Sequence, residues 1–285
     1  MTMEERFFAF IFERQSIWYR RFVLRLPAPW TEDPILSTYK FCNMYRELDA
    51  STRALMGRLN RCRNRREQVL NIVFFRFFNL RRLYEDLGID LFRQEETDVV
   101  LAGFERMRRK GQPIFNNAYI ISPGHDERPK HVTILEHLKA LDVPDLVARL
   151  DGAPTPEAAH EILMTIPCVG SFLAGEIWTD LASVGFFRQG WTDNDFVAIG
   201  PGAAWGLDLL VGRKLTAGER EEPLRRLHIA QGSMLPDAWR DIAYMEAGSN
   251  MPFLSLTNME GALCEFRKYT NLSQGKGRRR YYRYS

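Results

Sequence analysis

The segment Ile166-Pro167-Cys168-Val169-Gly170 is the most informative part of the sequence for the fold, because it separates two amphipathic helices predicted over residues 158–164 and 171–181. A tight turn that ends in glycine exposes successive backbone N–H groups at the start of the second helix. The helix dipole favours an anion at the same place. Such a hairpin holds a phosphate of the DNA backbone without reading the base sequence. The alternative is a plain helical hairpin in which proline and glycine only cap the helices.

This stretch resembles the helix–hairpin–helix of base-excision DNA glycosylases, whose hairpin usually reads Leu-Pro-Gly-Val-Gly. The resemblance implies a mainly α, two-lobed, glycosylase-like fold with little or no sheet and with the helix–hairpin–helix at about residues 156–182. It also implies contacts to the DNA backbone at Pro167, Val169, Gly170 and Ser171. Cys168 stands where the family places its first glycine, so the turn must accommodate a Cβ.

The loop after the second helix carries the candidate catalytic carboxylates. In the glycosylase fold the catalytic aspartate follows the hairpin at the place where this chain has Trp191-Thr192-Asp193-Asn194-Asp195-Phe196. Asp193 matches by order and spacing, and Asp195 is the near alternative; both are otherwise helix caps or partners of arginines. Phe172 occupies the position of the attacking lysine of bifunctional glycosylases, which disfavours Schiff-base lyase chemistry.

Composition predicts an ordinary globular chain. Of the 285 residues, 45% are hydrophobic and 26% are charged. We therefore expect one helical domain with two lobes over residues 1–272, followed by a basic flexible tail over residues 273–285. No apolar run approaches the roughly 20 residues that a membrane-spanning helix needs, so the sequence favours the cytoplasm. The four cysteines lie far apart, without the spacing of a zinc or iron–sulfur site, and no metal is expected.

Charge is distributed unevenly along the chain. Residues 1–110 carry 21 Lys and Arg against 15 Asp and Glu, whereas residues 267–285 carry seven basic residues and no acid. Only seven of the 39 cationic residues are lysines, so arginine dominates. Arginine forks match phosphate oxygens and stack on aromatic rings, which favours a nucleic-acid partner. The alternative is that genome composition sets the arginine content.

Further motifs are not typical of glycosylases and resemble the α-glutamyl/putrescinyl-thymine pyrophosphorylases, phage and related enzymes that also occur as the helical partner of 5-hydroxymethyluracil DNA kinases. The resemblance covers roughly residues 5–270 and rests on residues 29–36, 39–49, 74–79, 115–119, 200–203 and 265–269. It implies a transferase that displaces phosphate or pyrophosphate from phosphorylated 5-hydroxymethyluracil in DNA and joins an amine to the 5-methylene. The amine would be an amino acid such as glycine, or a polyamine. The alternatives are a monofunctional glycosylase that uses Asp193 and a non-catalytic DNA-binding module.

The resemblance assigns candidate roles around a flipped base. For reading the uracil edge or stacking on it, the candidates are Asn43, Asn79, Asn116, Asn117, Tyr119 and Trp191. Their alternative roles are turn or cap bonds for the amides and core packing for the aromatic rings. Asp193 or Asp195 would take a proton from the attacking ammonium.

The leaving phosphate needs a cationic or backbone anion site. Thr31 or Asp33 is predicted to cap a helix that runs from Ile35 to Leu48, which places Lys40 and Arg46 inside an apolar helix; Arg76 lies inside another. A buried cation needs an anion, which is either a structural carboxylate such as Asp49 or Glu47, or the leaving phosphate. Backbone N–H groups at Gly200 and Gly202 are the second candidate anion site, for phosphate or for the carboxylate of an incoming amino acid.

The expected partners follow from this chemistry. They are double-stranded DNA that carries modified thymine, a free amino acid or polyamine, and a functionally linked 5-hydroxymethyluracil DNA kinase, with no membrane. No cofactor is expected, apart from a possible monovalent cation at the hairpin carbonyls. The resemblance implies a phage protein in the cytoplasm of its host bacterium.

Overall fold

In the computed structural model the described residues are 1–116, 127–245, 252–277 and 280–281, and they are mainly helical, which confirms the predicted class. The α-helices are α1 Met3–Trp18, α2 Pro34–Thr38, α3 Ala50–Leu59, α4 Arg65–Phe78, α5 Leu83–Leu87, α6 Thr97–Arg109, α7 Lys130–Ala140, α8 Val143–Asp151, α9 Pro156–Met164, α10 Ser171–Ser183, α11 Pro201–Val211, α12 Glu221–Met234, α13 Trp239–Ile242 and α14 Leu256–Ser273. A π-helix follows α1 at Tyr19–Val23, and short 3-10 turns occupy Arg46–Leu48, Gln94–Glu96 and Ala217–Glu219. Within the described part no strand forms, and an isolated bridge pairs Tyr39 with Tyr281.

The chain divides into two compact units. The first contains Met1–Asp49 and Ile199–Ser285, and the second contains Ala50–Ala198. We call them the terminal unit and the central unit. The central unit holds α3 to α10, and the terminal unit holds the other helices.

The central unit is built around α4. Residues 69–78 of this helix are all buried, because the segment is apolar on every side apart from Asn71 and Arg76. A helix that is apolar all round must be enclosed by other elements. Phe74 stacks on Phe92 at 4.4 Å between ring centroids, and α10 packs along the same helix. Thr155 caps α9 through the Ala158 N–H, and Pro156 is the first helical residue, as the sequence predicts.

The terminal unit is built on α1, α11 and α14. Phe7 and Phe10 pack on Phe266 of α14, with ring centroids 5.3 and 5.6 Å apart. A Cβ on Gly206 of α11 would lie 2.9 Å from the Leu263 carbonyl oxygen. This glycine is therefore required by the close approach of two helix backbones.

The predicted helix from Ile35 to Leu48 is wrong beyond Thr38. Asp33 caps it, since its Oδ1 accepts the Ile35 and Leu36 N–H groups. The next N–H groups then leave the helical pattern. Cys42 N–H donates to Glu265, and Asn43 N–H donates to Asp49 at 3.2 Å. Side chains that accept backbone N–H groups compete with helical bonding, and here they prevail.

The predicted basic tail is described only in part. α14 ends at Ser273, and the Lys40 N–H donates to the Arg280 carbonyl at 2.8 Å. Residues 278–279 and 282–285 lie outside the described residues.

Candidate functional site

The hairpin of the central unit is a tight turn between α9 and α10. The Val169 N–H donates to the Ile166 carbonyl at 3.0 Å, and both side chains are buried. Cys168 has a φ of 66°, so a residue with a Cβ occupies the left-handed region. A proline followed by a residue with positive φ is the pattern of a type II turn, which normally takes glycine at the second place. The turn thus accommodates a Cβ in the left-handed region, at the place where a type II turn usually has glycine.

The N-terminus of α10 faces solvent. Gly170 is its N-cap and carries no side chain to occupy the first N–H groups of the helix. Gly170, Ser171 and Pro167 are exposed, whereas the side chain of Val169 belongs to the core. His160 of α9 donates from Nε2 to the Ser171 carbonyl at 2.9 Å and so fixes the first turn. The arrangement suits a phosphate held by backbone groups.

The loop over residues 191–198 is anchored to the same two helices. The ring of Phe196 lies 5.2 Å from that of His160 and 5.1 Å from that of Trp178 on α10. A Cβ on Gly175 would lie 2.5 Å from the Ala198 Cβ, so this glycine permits the loop to contact α10 directly. The hairpin and the loop that bears the candidate carboxylates therefore share one rigid support.

The two candidate aspartates differ in their surroundings. Asp195 is exposed, and its Oδ2 accepts the Thr192 N–H at 2.7 Å and the Thr192 hydroxyl at 2.9 Å. Its carboxylate thus closes the turn over residues 192–195. Asp193 is half-buried. The ring of Trp191 lies 5.3 Å from that of Phe187 and borders the core. This contact agrees with core packing, the alternative to stacking on a base.

Arg76 is a buried cation with carboxylate partners in the central unit. Its guanidinium pairs with both oxygens of Asp180, with Nη2 and Oδ1 2.6 Å apart, and both side chains are fully buried. Its Nη1 also lies 3.2 Å from Glu176 Oε2 and donates to Asn79 Oδ1 at 3.4 Å. The anion is therefore structural, but it is neither Asp49 nor Glu47. This network ties α4 to α10, and it occupies the guanidinium that was predicted to bind the leaving phosphate.

The predicted base-reading amides of the central unit meet at the C-terminal end of α4. Asn79 ends the helix in the left-handed conformation, with φ 48° and ψ 44°. Its carbonyl accepts from Asn116 Nδ2 at 3.1 Å, and the Asn116 N–H donates to the Phe78 carbonyl at 2.9 Å. Both residues therefore serve as caps in this structure, and their role in reading a base stays a prediction. Asn117 and Tyr119 lie outside the described residues.

Sequence reasoning missed two residues near this cluster, Lys130 and Glu176. The Lys130 Nζ lies 4.7 Å from the centroid of the Phe115 ring and interacts electrostatically with Cys168 of the hairpin. Partial burial lowers the pKa of the Lys130 ammonium. No local pattern marks Lys130, because its neighbours come from two distant segments. Glu176 follows Gly170 by six residues on α10, so the hairpin motif is the one signal that points towards it.

The remaining candidates lie in the terminal unit, where Lys40 and Arg46 prove not to be buried in an apolar helix. Lys40 is exposed on an extended segment that follows α2. Arg46 is half-buried in a 3-10 turn, and its N–H donates to Asn258 Oδ1 at 2.8 Å. The predicted leaving-phosphate site at these two residues therefore lacks the buried cations on which it was based.

Asn43 sits between a cation and an acid. Its Oδ1 accepts from Arg14 Nη2 at 3.0 Å, and its Nδ2 donates to Asp49 at 2.8 Å. Burial raises the pKa of Asp49, and the two hydrogen bonds from Asn43 oppose this shift. The Asn43 amide uses one donor and its acceptor in hydrogen bonds within the fold. Its contacts are therefore those of a structural residue, which was the alternative to a base-reading role.

The two glycines at the start of α11 differ in their contacts. The Gly200 N–H donates to Glu260 Oε1 at 2.9 Å, so a carboxylate of this chain already occupies that group. A Cβ on Gly202 would overlap the Cys264 Sγ, which shows that Gly202 is needed for packing against α14. Anion binding at this terminus would therefore compete with Glu260.

The structure thus divides the predicted site. The hairpin, Asp193, Asp195, Trp191, Arg76, Asn79 and Asn116 belong to the central unit, and Lys40, Asn43, Arg46, Gly200 and Gly202 belong to the terminal unit. Over the described ranges, no group of three or more His, Cys, Asp or Glu side chains is arranged to hold a metal ion. None of the helices described is long and apolar enough to cross a membrane.

Comparison with known proteins identifies the family. The family described as the helical domain of 5-hmdU DNA kinase matches residues 2–278, and this chain belongs to it. The 5-hmdU DNA kinase of Bacillus phage SP10 is 26% identical over 298 aligned positions, which cover 95% of this chain and 45% of that protein. The chain therefore spans less than half the length of this curated relative. No solved structure matches.

Proposed function

We propose that this member of the 5-hmdU DNA kinase helical-domain family is a transferase that acts on modified thymine bases in DNA. Its substrate would be double-stranded DNA that carries phosphorylated 5-hydroxymethyluracil, made by a functionally linked kinase. It would replace the phosphate or pyrophosphate with an amine, either an amino acid such as glycine or a polyamine. The observation that carries the proposal is that the hairpin and the Asp193 loop are both anchored on α9 and α10.

DNA binding begins at the hairpin. The exposed N-terminus of α10 offers backbone N–H groups to a phosphate, and the Gly170 cap lets the phosphate approach closely. The target base must leave the duplex before its methylene carbon can be attacked. A backbone clamp beside the catalytic loop holds the strand while the base is displaced.

The chemical step exchanges one bond for another. The nitrogen lone pair of the amine forms a C–N bond to the exocyclic methylene carbon. The C–O bond to the phosphate breaks, and its electron pair leaves with the phosphate or pyrophosphate. Asp193 accepts the proton that the amine loses, a role that contributes roughly 10²–10⁴-fold to a rate. We assign this role to Asp193 because Asp195 closes its own turn.

A cation beside the hairpin assists the leaving group. Lys130 interacts with Cys168 of the hairpin, and the face of the Phe115 ring holds its ammonium at 4.7 Å from the ring centroid. An ammonium there would stabilise the negative charge that develops on the departing phosphate. The lysine takes over the role first predicted for Arg76, whose guanidinium pairs with Asp180 and Glu176.

The test is nucleoside mass spectrometry. DNA that carries kinase-phosphorylated 5-hydroxymethyluracil is incubated with the protein and a pool of amino acids and polyamines. A transferase produces a nucleoside whose mass gains the amine and loses the phosphate group. The Asp193→Asn variant should lose at least about 100-fold in rate while DNA affinity is kept. The Lys130→Met variant should also lose rate.

Asp98→Asn is the matched control, since Asp98 is an exposed aspartate elsewhere on the central unit. Release of free base and formation of abasic sites would instead show a monofunctional glycosylase that uses Asp193. DNA binding without any change of the nucleosides, in every variant and with every amine, would show a non-catalytic DNA-binding module. Either result refutes the transferase.

A further inference from the structure

The π-helix that follows α1 and the residues directly after it expose an unusual set of apolar side chains. Phe22, Val23, Leu24 and Leu26 are 56%, 47%, 49% and 48% exposed. The buried face of α1 carries Phe7, Ile11 and Ile17, whereas Phe22 and Leu26 are exposed. The π-helix over Tyr19–Val23 inserts an extra residue into the turn and so rotates the following side chains out of register with that face. We call Phe22–Leu26 the apolar ridge, defined by residues 22–26.

The ridge is held in one conformation. The Leu24 N–H donates to the Tyr19 carbonyl at 3.0 Å, and the Leu26 N–H donates to the Arg20 carbonyl at 2.9 Å. Trp30 closes the loop behind it, because its Nε1 donates to the Leu26 carbonyl at 2.8 Å. Arg25 adopts a φ of 54°, a left-handed conformation that costs an L-residue free energy. Backbone strain that a surrounding structure maintains is a frequent mark of functional segments.

Arginine is the main charged residue in the sequence around the ridge, where Arg20 pairs with Glu13 at 3.2 Å. Between Glu13 and Glu32 the chain contains arginines but no acidic residue. Arg21 lies over the ring of Phe22 at 4.9 Å and over that of Trp30 at 4.7 Å, so its guanidinium borders the apolar side chains. A surface that combines exposed apolar groups with arginines complements a polyanion that also has an apolar interior.

We propose that the apolar ridge and its arginines form a DNA wedge of the terminal unit, in which Phe22 and Leu24 insert between neighbouring base pairs. This inference rests on the proposed function, since it supposes that the substrate is duplex DNA. Proteins that bend DNA commonly insert Phe or Leu at a base step while arginines contact the adjacent phosphates. Such unstacking lowers the cost of displacing a base, which the proposed chemistry requires. Charge favours DNA over an apolar protein partner, because Arg21 borders the ridge and the exposed Arg25 lies within it.

The first experiment measures affinity for a duplex with one central 5-hydroxymethyluracil by fluorescence anisotropy. The double variant Phe22→Ser, Leu24→Ser should bind about tenfold more weakly, in line with the loss of base stacking. The Arg25→Gly variant keeps the left-handed backbone and removes only the side chain. It should reduce the slope of log K against log salt by about one. Ile229→Ser is the matched control, since Ile229 of α12 is 79% exposed in the same unit and should not affect affinity.

The second experiment reports insertion itself. A 2-aminopurine placed beside the modified base becomes brighter when its stack is opened. Wild-type protein should increase this fluorescence at saturation, and the Phe22→Ser, Leu24→Ser variant should not do so even when its concentration is raised to saturate the DNA.

The outcomes separate the ridge from the proposed function. If the ridge variants bind DNA and open the stack like wild type, the wedge is refuted and the DNA-modifying proposal stands. If they bind DNA normally but lose association with a 5-hmdU DNA kinase chain, the ridge is a protein-docking surface and the wedge is refuted. If wild-type protein has no affinity for DNA, both proposals fall.

Discussion

Replacement of Cys168 by glycine should stabilise the central unit. The residue has a φ of 66° at the place in the turn where glycine is usual. A left-handed conformation costs an L-residue about 1–2 kcal/mol. Glycine removes this strain but loses more backbone entropy on folding, at a cost of roughly 0.5–1 kcal/mol. The net expectation is a gain of about 0.5–1 kcal/mol in the free energy of unfolding.

Cys168→Ala separates the backbone from the thiol. Alanine keeps the Cβ and hence the strain, but it removes the sulfur and its contacts. The difference in unfolding free energy between the glycine and alanine variants therefore measures the conformational term alone. A second control is Gly170→Ala, because Gly170 has an ordinary φ of −87° and open space around its Cβ position. That variant should lose only a few tenths of a kcal/mol or gain slightly.

The assay is urea unfolding followed by tryptophan fluorescence, since Trp178 and Trp191 both lie in the central unit. With a slope of roughly 1–3 kcal/mol per molar urea, the glycine variant should shift the midpoint upward by a few tenths of a molar relative to the alanine variant. Equal midpoints for glycine and alanine, or a lower midpoint for glycine, would show that the turn carries no strain at Cys168. The left-handed conformation of Cys168 would then carry no measurable cost relative to glycine.

Three further predictions follow from buried and surface contacts. Arg76→Leu leaves the Asp180 carboxylate buried without its cation, and it should cost about 3–5 kcal/mol of unfolding free energy in chemical denaturation. Gly202→Ala places a Cβ against the Cys264 Sγ and should cost roughly 1–3 kcal/mol, with part recovered by adding Cys264→Ala. Glu219 has a pKa lowered to about 2, first by its hydrogen bond with Arg213 and then by the Thr216 N–H and hydroxyl. Since this folded pKa lies below the ordinary 4.5, the contribution of Glu219 to stability is present above that ordinary value and is lost as pH falls towards 2.

Each of these has its own check. Arg82→Leu removes an exposed arginine of the same unit and should change stability little, so an equal loss for Arg76 and Arg82 would argue against the buried pair. Gly261→Ala introduces a Cβ into open space on α14 and should be neutral or stabilising. For Glu219, carboxylate NMR should show a midpoint near 2 that rises in Arg213→Gln. A midpoint that stays unchanged in that variant would mean that Arg213 is not the cause.

The sequence predicted what is local and missed what is distant. The Thr155 cap, the Pro156 start of α9 and the hairpin at Gly170 each depend on a few consecutive residues, and all are found. The helix predicted to reach Leu48 failed because Glu265, more than two hundred residues away, accepts the Cys42 N–H. No window of local sequence contains that acceptor. The same holds for the π-helix, which changes which side chains after α1 face outward without any change of residue type.

The fate of the candidate site residues follows the same division. An arginine inside an apolar helix indicates a buried anion, and this inference was sound for Arg76, but the anion came from Asp180, 104 positions away. Whether an amide reads a base or caps a helix is likewise decided by distant groups, as Asn43 shows with its bonds to Arg14 and Asp49. The hairpin and the Asp193 loop are the two predicted features that share one support. They are held by His160, Trp178 and Gly175 on two adjacent helices. A catalytic group is effective only when its position is fixed relative to the bound substrate. The shared support of the hairpin, which we propose binds phosphate, and the half-buried Asp193 is therefore a stronger argument for chemistry in the central unit than the residue types themselves.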